Sequence, residues 1–428
     1  MLSQADNELL CRIGPGTLMG DLMRQYWIPA VRSDEVTSDG APLRVMLLGE
    51  KLIAFRMASG KVGLMQNHCP HRGASLFFGR NEEEGLRCVY HGWKFGADGR
   101  CLDMPNEPPE SNFKDKIKAT AYPTQERNGI VWAYMGPRST PPPLPDLEAN
   151  MHAGGYISVI HRRCNWMQGW EGEMDTVHTA FLHSGHLKVE DTQPGTFEYY
   201  TASNRAPRFH VIDTSFGTSY GVYRPAEDDR YYWRIAHQLL PFYAMIPTGA
   251  LGHECRFAAY VPMDDEHTMH WEVWASTPWE GEPPLGAMAG PSRREADWYQ
   301  PDTTDWYGRF NLKQHPENDY LIDREAQRSG KSWTGIMGIR QQDIAVTDSM
   351  GPILDRSIEH LGTTDVLIIR TRRRLLAMAK ALREKGEVPP SVDQPELYRQ
   401  RSGGILLQRD VNWWDGTADL RERFQATA

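Results

Sequence analysis

Cys69-Pro70-His71-Arg72-Gly73-Ala74 and, after sixteen residues between His71 and Cys88, Cys88-Val89-Tyr90-His91-Gly92-Trp93 decide how this chain is read. Each stretch offers one thiol and one imidazole on a loop that ends in glycine, so the two loops together can hold a metal centre. Two cysteines and two histidines are also a zinc-ligand set. Gly73 and Gly92 shift the balance, because a residue without Cβ lets backbone N–H groups approach an inorganic sulfide closely. Both loops read as hairpin tips. Around them, residues 43–48 and 52–55 flank a turn at Gly49-Glu50-Lys51, and 131–134 read as a closing strand. Short strands without helices over 27–134 predict a small β-sandwich.

Working outward, residues 1–25 read as helical. Asp6 is placed to cap, Leu9, Leu10 and Ile13 follow at helical spacing, Gly14-Pro15-Gly16 stops the run, and a second short helix is expected over 17–26. On the other side, Gly136-Pro137, Pro141-Pro142-Pro143 and Pro145 read as a stiff linker. The expected division is a helical segment 1–26, a β domain 27–137, a Pro-rich linker 138–149 and a catalytic domain 150–428. In the last, strand-like stretches at 155–161, 208–213, 231–240, 254–262 and 268–275 predict a largely antiparallel sheet. A C-terminal helix is expected from a Thr364 cap to Gly386, just before Pro389-Pro390. Residues 280–330, rich in Gly, Pro and charge, read as a cover or as a surface excursion.

A second constellation falls at Asp175, His178 and His183. Asp175 and His178, three apart, are expected on one helical face. His178 and His183 diverge by about 140° on an ideal helix, so a shared metal requires the helix to bulge or end between them. Two ordinary helical histidines are the competing reading. Composition narrows the remaining classes. The 428 residues carry a formal net charge of -9 and no basic run longer than Arg372-Arg373-Arg374, which argues against nucleic acid. No apolar run approaches the ~20 residues a membrane span needs, and no signal peptide is expected. Six cysteines in a chain this long do not make a disulfide framework and fit a reducing cytoplasm. His68 reads as a surface or packing residue and Cys101 as structural.

Cys-X-His…Cys-X-X-His resembles the Rieske motif, and Asp-X-X-His-X-X-X-X-His is similar to the mononuclear-iron half of Rieske non-haem iron oxygenases. The opening Asn7-Glu8-Leu9-Leu10…Gly14-Pro15-Gly16 and Ser349-Met350-Gly351-Pro352-Ile353 resemble the phthalate dioxygenase branch. The resemblance implies an α+β chain: an N-terminal all-β Rieske domain, then a helix-grip (START-like) domain with a curved antiparallel sheet and flanking helices. It implies a [2Fe-2S] cluster on Cys69, His71, Cys88 and His91, and a mononuclear Fe(II) on His178, His183 and a distant carboxylate. Asp343 is the choice for that carboxylate, with Asp348 and Asp355 as alternatives. Asp175 becomes a bridge between His178 and His91 of the partner subunit. A homotrimer or stacked hexamer is implied, served by an NADH-dependent flavin/iron–sulfur reductase. The reaction would hydroxylate a small aromatic carboxylate with O2. Demethylation of a methoxylated aromatic acid and a Rieske electron carrier without oxygenase activity are the alternatives. Arg205, Arg208, Arg224 and Arg234 lie where the pocket is expected. Arg208 and Arg234, on strand-like segments, are the preferred substrate anchors against a solvated or structural reading. Residues 242–247 read as pocket lining or plain core.

Overall fold

The computed structural model describes residues 2–253, 255–275 and 298–424. Leu48 and Gly49 both take positive φ, 46° and 78°, as a two-residue turn needs if its twist is to suit the strands it joins. It connects Leu43–Leu47 to Glu50–Arg56, and Val62–Gln66 and Ala121–Tyr122 complete a four-stranded sheet. A second four-stranded sheet, Arg80–Glu82, Gly85–Arg87, Lys94–Phe95 and Cys101–Asp103, carries the Cys88 loop. Ile53, Phe55, Met65, Leu76, Leu86 and Phe95 form a separate small core beneath both Cys/His loops. Trp27–Arg32, Ile130–Tyr134 and Thr124–Arg127 form a third sheet, whose Ile28, Val31 and Trp132 merge with the main core of the chain. The proline-rich segment is packed down: Trp27 Nε1 donates to Pro142 O at 2.6 Å.

The C-terminal sheet runs Tyr156–Arg162, Thr268–Ala275, Cys255–Pro262, Tyr243–Met245, Arg230–Leu239, Gly217–Pro225, Arg208–Asp213, and Gly403–Gln408 also pairs with Arg230–Leu239. All its ladders are antiparallel. Strand alternation sorts the side chains. On one face Tyr223, Tyr231 and Trp233 pack with Trp413 and Ile405. Tyr220, Val222 and Arg224, opposite Ala236, Arg234 and Tyr232, share the other. The helix Trp166–Met174 crosses the strands Tyr243–Met245 and Cys255–Pro262, and Trp170 Nε1 donates to Tyr243 O at 3.0 Å. The long helix Val366–Lys385 packs on the N-terminal helices Gln4–Cys11 and Leu18–Met23. A buried charge network ties these parts together. Glu171 accepts from Arg356 at 2.9 Å and from Arg372 at 2.5 Å, and Arg372 also holds Glu359.

Several local expectations change. Ser3, not Asp6, caps the first helix, with its side chain accepting the Asp6 N–H. The long helix starts at Val366, after a 3-10 turn over Thr363–Asp365, and ends at Gly386 with φ 70°. The strand Gly217–Pro225 carries glycines at 217 and 221 that hide it in the sequence. Gly221 is there for close packing, since a Cβ would stand 2.8 Å from the Trp413 ring. Phe242, Tyr243 and Met245 are buried core. Of the stretch 280–330, residues 280–297 lie outside the described residues. Trp298, Tyr299, Leu312 and Tyr320 pack against Ile160 and Ile344, so residues 298–330 are a packed surface excursion.

Candidate functional site

The two Cys/His loops are built alike. Cys69 N–H donates to Ala74 O at 2.8 Å and Gly73 N–H returns to Cys69 O at 2.9 Å. Cys88 N–H donates to Trp93 O at 2.8 Å and Gly92 N–H to Cys88 O at 3.0 Å. Gly73 and Gly92 take φ of 74° and 80°, a conformation that costs other residues strain. Both thiols are buried and both imidazoles lie half-buried, farther out. The His71 ring stacks on Trp93 at 4.4 Å and meets the His91 ring at 4.4 Å. Trp93 is pinned by its Nε1 donating to Asn106 Oδ1 at 2.7 Å.

These residues fit a two-iron cluster better than one zinc ion. A zinc with bonds of about 2.0–2.3 Å gathers all its ligand atoms tightly. Among the described residues three sets of ligand-type side chains converge to within 4.8 Å, and this quartet is not one of them. His71 Nδ1 is buried without a hydrogen-bond partner, as a nitrogen reserved for a metal is. Burial, together with the Cys88 thiol beside it, pushes the Cys69 thiol up to about 11, so a thiolate here requires a bound cation.

His178, His183 and Asp343 form one of the converging sets. The two Nε2 atoms stand 3.1 Å apart, and Asp343 Oδ1 lies 3.5 Å from His178 Nε2 and 3.1 Å from His183 Nε2. Such a set occupies one face of an iron and leaves the opposite face open. Asp343 rides on the helix Ile339–Asp348. Asp348 instead accepts from Tyr320 at 3.1 Å, and Asp355 is exposed and bonded to Ser357.

The helix Trp166–Met174 stops before both histidines. Asp175 is its extended C-cap, and His178 opens a 3-10 turn over His178–Ala180. Asp175 and His178 therefore do not share a helical face as their spacing predicts. An aspartate turn joins them: Asp175 Oδ1 accepts the Val177 N–H at 2.8 Å and the His178 N–H at 3.3 Å, while Oδ2 stands 3.6 Å from His178 Nδ1. Burial opposes a charged His178, but the Asp175 hydrogen bond and the Asp343 charge outweigh it and hold the imidazole above its ordinary pKa. Gln342, which sequence reading used only to mark a segment, accepts from His183 Nδ1 at 2.8 Å and donates to Ile336 O at 2.8 Å.

The structure separates the arginines. Arg208 pairs with Tyr223 and is exposed on the outer face, so it is not brought to the site. Arg205 donates to Leu187 O. Arg234 is 7% exposed, its Nε lacks a partner, and its guanidinium lies 4.0 Å from the Phe197 ring. Arg224 is fully buried, with Nε on Asn204 O at 2.7 Å and both terminal nitrogens unpartnered. Among the described residues no carboxylate is in ion-pair range of either. Burial, and the neighbouring Arg234, lower Arg224 to about 10. Tyr220 is buried without a geometric hydrogen-bond partner for its hydroxyl, and it feels the charges of Arg234 and Asp175.

Comparison with known proteins follows this geometry. Residues 26–123 match the Rieske [2Fe-2S] domain and residues 133–398 the LigXa C-terminal domain. The chain is 46% identical to the 3-chlorobenzoate-3,4-dioxygenase oxygenase subunit of Comamonas testosteroni, over 95% of this chain and 96% of the relative. It is 36% identical to the phthalate 4,5-dioxygenase oxygenase subunit of Pseudomonas putida, covering 97% and 94%. It is 33% identical to a 5,5'-dehydrodivanillate O-demethylase oxygenase subunit of Sphingobium, covering 96% and 88%. Among solved structures, dicamba monooxygenase superposes with a TM-score of 0.57 at 17% identity, over 85% of this chain and 99% of that one.

Proposed function

Because the chain belongs to the Rieske-type aromatic-ring oxygenases, we propose that it oxygenates a small aromatic carboxylate whose acid group is held by Arg234 and Arg224. The observation that carries this reading is a pair of buried guanidiniums with no carboxylate in ion-pair range among the described residues, Arg234 feeling Glu198 only from farther off. Burying one charge unpaired is costly, and a ligand carboxylate, matched to the planar fork, relieves it. The 3-chlorobenzoate and phthalate relatives act on acids of this kind. Arg208, facing away, drops out of the proposal.

When bound, the cluster would supply electron transfer and the mononuclear iron the activation of dioxygen. We assign the cluster to Cys69, Cys88, His71 and His91, and the iron to His178, His183 and Asp343. Gln342 takes the Nδ1–H of His183 and the Asp175 carboxylate lies 3.6 Å from Nδ1 of His178, so that the Nε2 atom of each imidazole faces the metal position. With its acid on Arg234, a ligand ring extends past Phe197 and Tyr220 toward the triad.

His91 lies on a loop with the exposed Val89 and Tyr90, and Asp175 is one-third exposed. This placement supports a head-to-tail trimer or stacked hexamer in which Asp175 bridges to His91 of the partner subunit. It also supports docking of an NADH-driven reductase in a reducing cytoplasm, where the buried free cysteines stay reduced. Among the described residues no helix is long and apolar enough to cross a membrane.

Oxygen uptake with a panel of benzoates, phthalates and methoxybenzoates, driven by a reductase, tests the reading. Carboxylates should stimulate uptake and their uncharged amides should not. Equal use of both would end the proposal. Formaldehyde release would mark the demethylase outcome that the 33% identical relative represents.

A further inference from the structure

Just beyond His183 the iron-ligand stretch runs under an indole. Gly185 closes the turn begun at Phe181, its N–H donating to Phe181 O at 2.8 Å. A Cβ on Gly185 would stand 2.5 Å from Trp333 Cδ2 and 2.7 Å from its Cγ, so only glycine lets the indole lie directly on this backbone. The same indole meets the Phe181 ring at 6.4 Å. The Arg205 guanidinium lies 5.1 Å from that ring and donates to Leu187 O at 3.2 Å. Trp333 is 51% exposed, so about half of a large apolar ring is withdrawn from water at this contact.

Trp333 stands on a loop with anchors of its own. Gly335 O accepts the Asp323 N–H at 2.8 Å, Gly335 N–H donates to Ser332 Oγ at 3.0 Å, and Met337 O accepts Gln314 Nε2 at 3.1 Å. Ile336 packs into the small core that contains Tyr320 and Ile344. Ile336 O also accepts from Gln342, the residue that takes the Nδ1–H of His183. The loop therefore reaches the histidine stretch at two points, Trp333 on Gly185 and Ile336 through Gln342 on His183. Between residues 178 and 187 the backbone bonds of the stretch are all local.

A ligand meets an affinity reduced by the fraction of protein already in the competent form. Asp343 is held by a helix, whereas His183 lies past the 3-10 turn that follows the helix Trp166–Met174. We propose that Trp333 is a positioning residue for the mononuclear iron. Its indole latches the Phe181–Gly185 turn, so that His183 Nε2 already stands beside Asp343 when Fe(II) arrives. Gln342 fixes the rotation of the His183 ring, and Trp333 fixes the backbone from which that ring projects. The latch rests on the assignment of the iron to His178, His183 and Asp343, and is independent of which aromatic acid is bound.

The test uses W333A, W333F and H183A in the full-length oxygenase, stripped of mononuclear iron by a chelator and titrated with Fe(II). The readouts are apparent Fe(II) affinity, amide exchange of the stripped protein, the Rieske signal and Tm. W333A should raise the apparent Kd for Fe(II) at least tenfold and speed exchange over residues 178–187. Its Rieske signal and Tm should stay near wild type. W333F keeps an aromatic ring over the turn and should recover most of the affinity. Wild-type affinity in W333A would overturn the latch, as would a W333F variant no better than W333A. Loss of the Rieske signal and a fall in Tm along with the iron would also overturn it, by marking a general structural role. If H183A takes up Fe(II) as well as wild type does, the iron assignment itself fails, a result separate from an unchanged W333A.

Discussion

Replacing Arg234 by glutamine removes one of two unpaired positive charges from the pocket without opening a large cavity. Arg234 is 7% exposed, so a carboxylate bound to it is largely desolvated. Truncating one partner of such a pair costs about 2–5 kcal/mol. Arg224 stays behind and keeps part of the field, which places the expected loss near 2–3.5 kcal/mol, or roughly 30- to 300-fold in kcat/KM at 1.4 kcal/mol per tenfold. The effect on folding should be small. A buried guanidinium with no ion-pair partner, set over the Phe197 ring, contributes little to the empty protein, so Tm should stay near its wild-type value. The assay is oxygen uptake against concentration for an aromatic acid and for its uncharged amide, with thermal unfolding in parallel. The reasoning fails if acid and amide lose activity equally. It also fails if Tm drops by several degrees while kcat/KM holds, because Arg234 would then be a structural arginine.

Three further outcomes follow from the geometry. The purified oxygenase should be brown and contain about three irons and two acid-labile sulfides per chain, with a rhombic paramagnetic signal on reduction; a colourless zinc protein would contradict both centres. D175N should fill both metal sites yet lose coupled turnover by tenfold or more, so near-normal product per O2 would remove Asp175 from the electron path. R356M strips a fully buried cation from Glu171 and should destabilise the fold by about 3–5 kcal/mol; an unchanged denaturation midpoint would show that Arg372 alone neutralises Glu171.

The reach of sequence reading differs from residue to residue. The Cys/His loops were legible because each ligand pair is local in the chain and its glycine serves the same loop. Asp343 was one of three carboxylates in a single segment, and only packing separates them, by turning Asp348 to Tyr320 and leaving Asp355 in solvent. Arg208 and Arg224 differ by strand parity. Arg208 opposes Tyr223 on the outer face and Arg224 opposes Tyr232 on the inner one. That parity was unreadable because glycines conceal the strand Gly217–Pro225. The helical reading of Asp175 and His178 failed because a capping aspartate turn brings residues three apart together as readily as a helix does.

The abrupt end of the helix Trp166–Met174 at Asp175 has a mechanical corollary. From there to His183 the chain is held by an aspartate turn, one short 3-10 turn and backbone bonds that are all local, beside a broad sheet and a twenty-residue helix. An ion held by His178, His183 and Asp343 would thus be a rivet as well as a reagent, clamping this locally bonded stretch to the helix that carries Asp343. Chelation should loosen this patch while the eight-stranded sheet beneath it keeps its shape, so that apoprotein and holoprotein differ in amide exchange over 175–185 far more than in their melting curves.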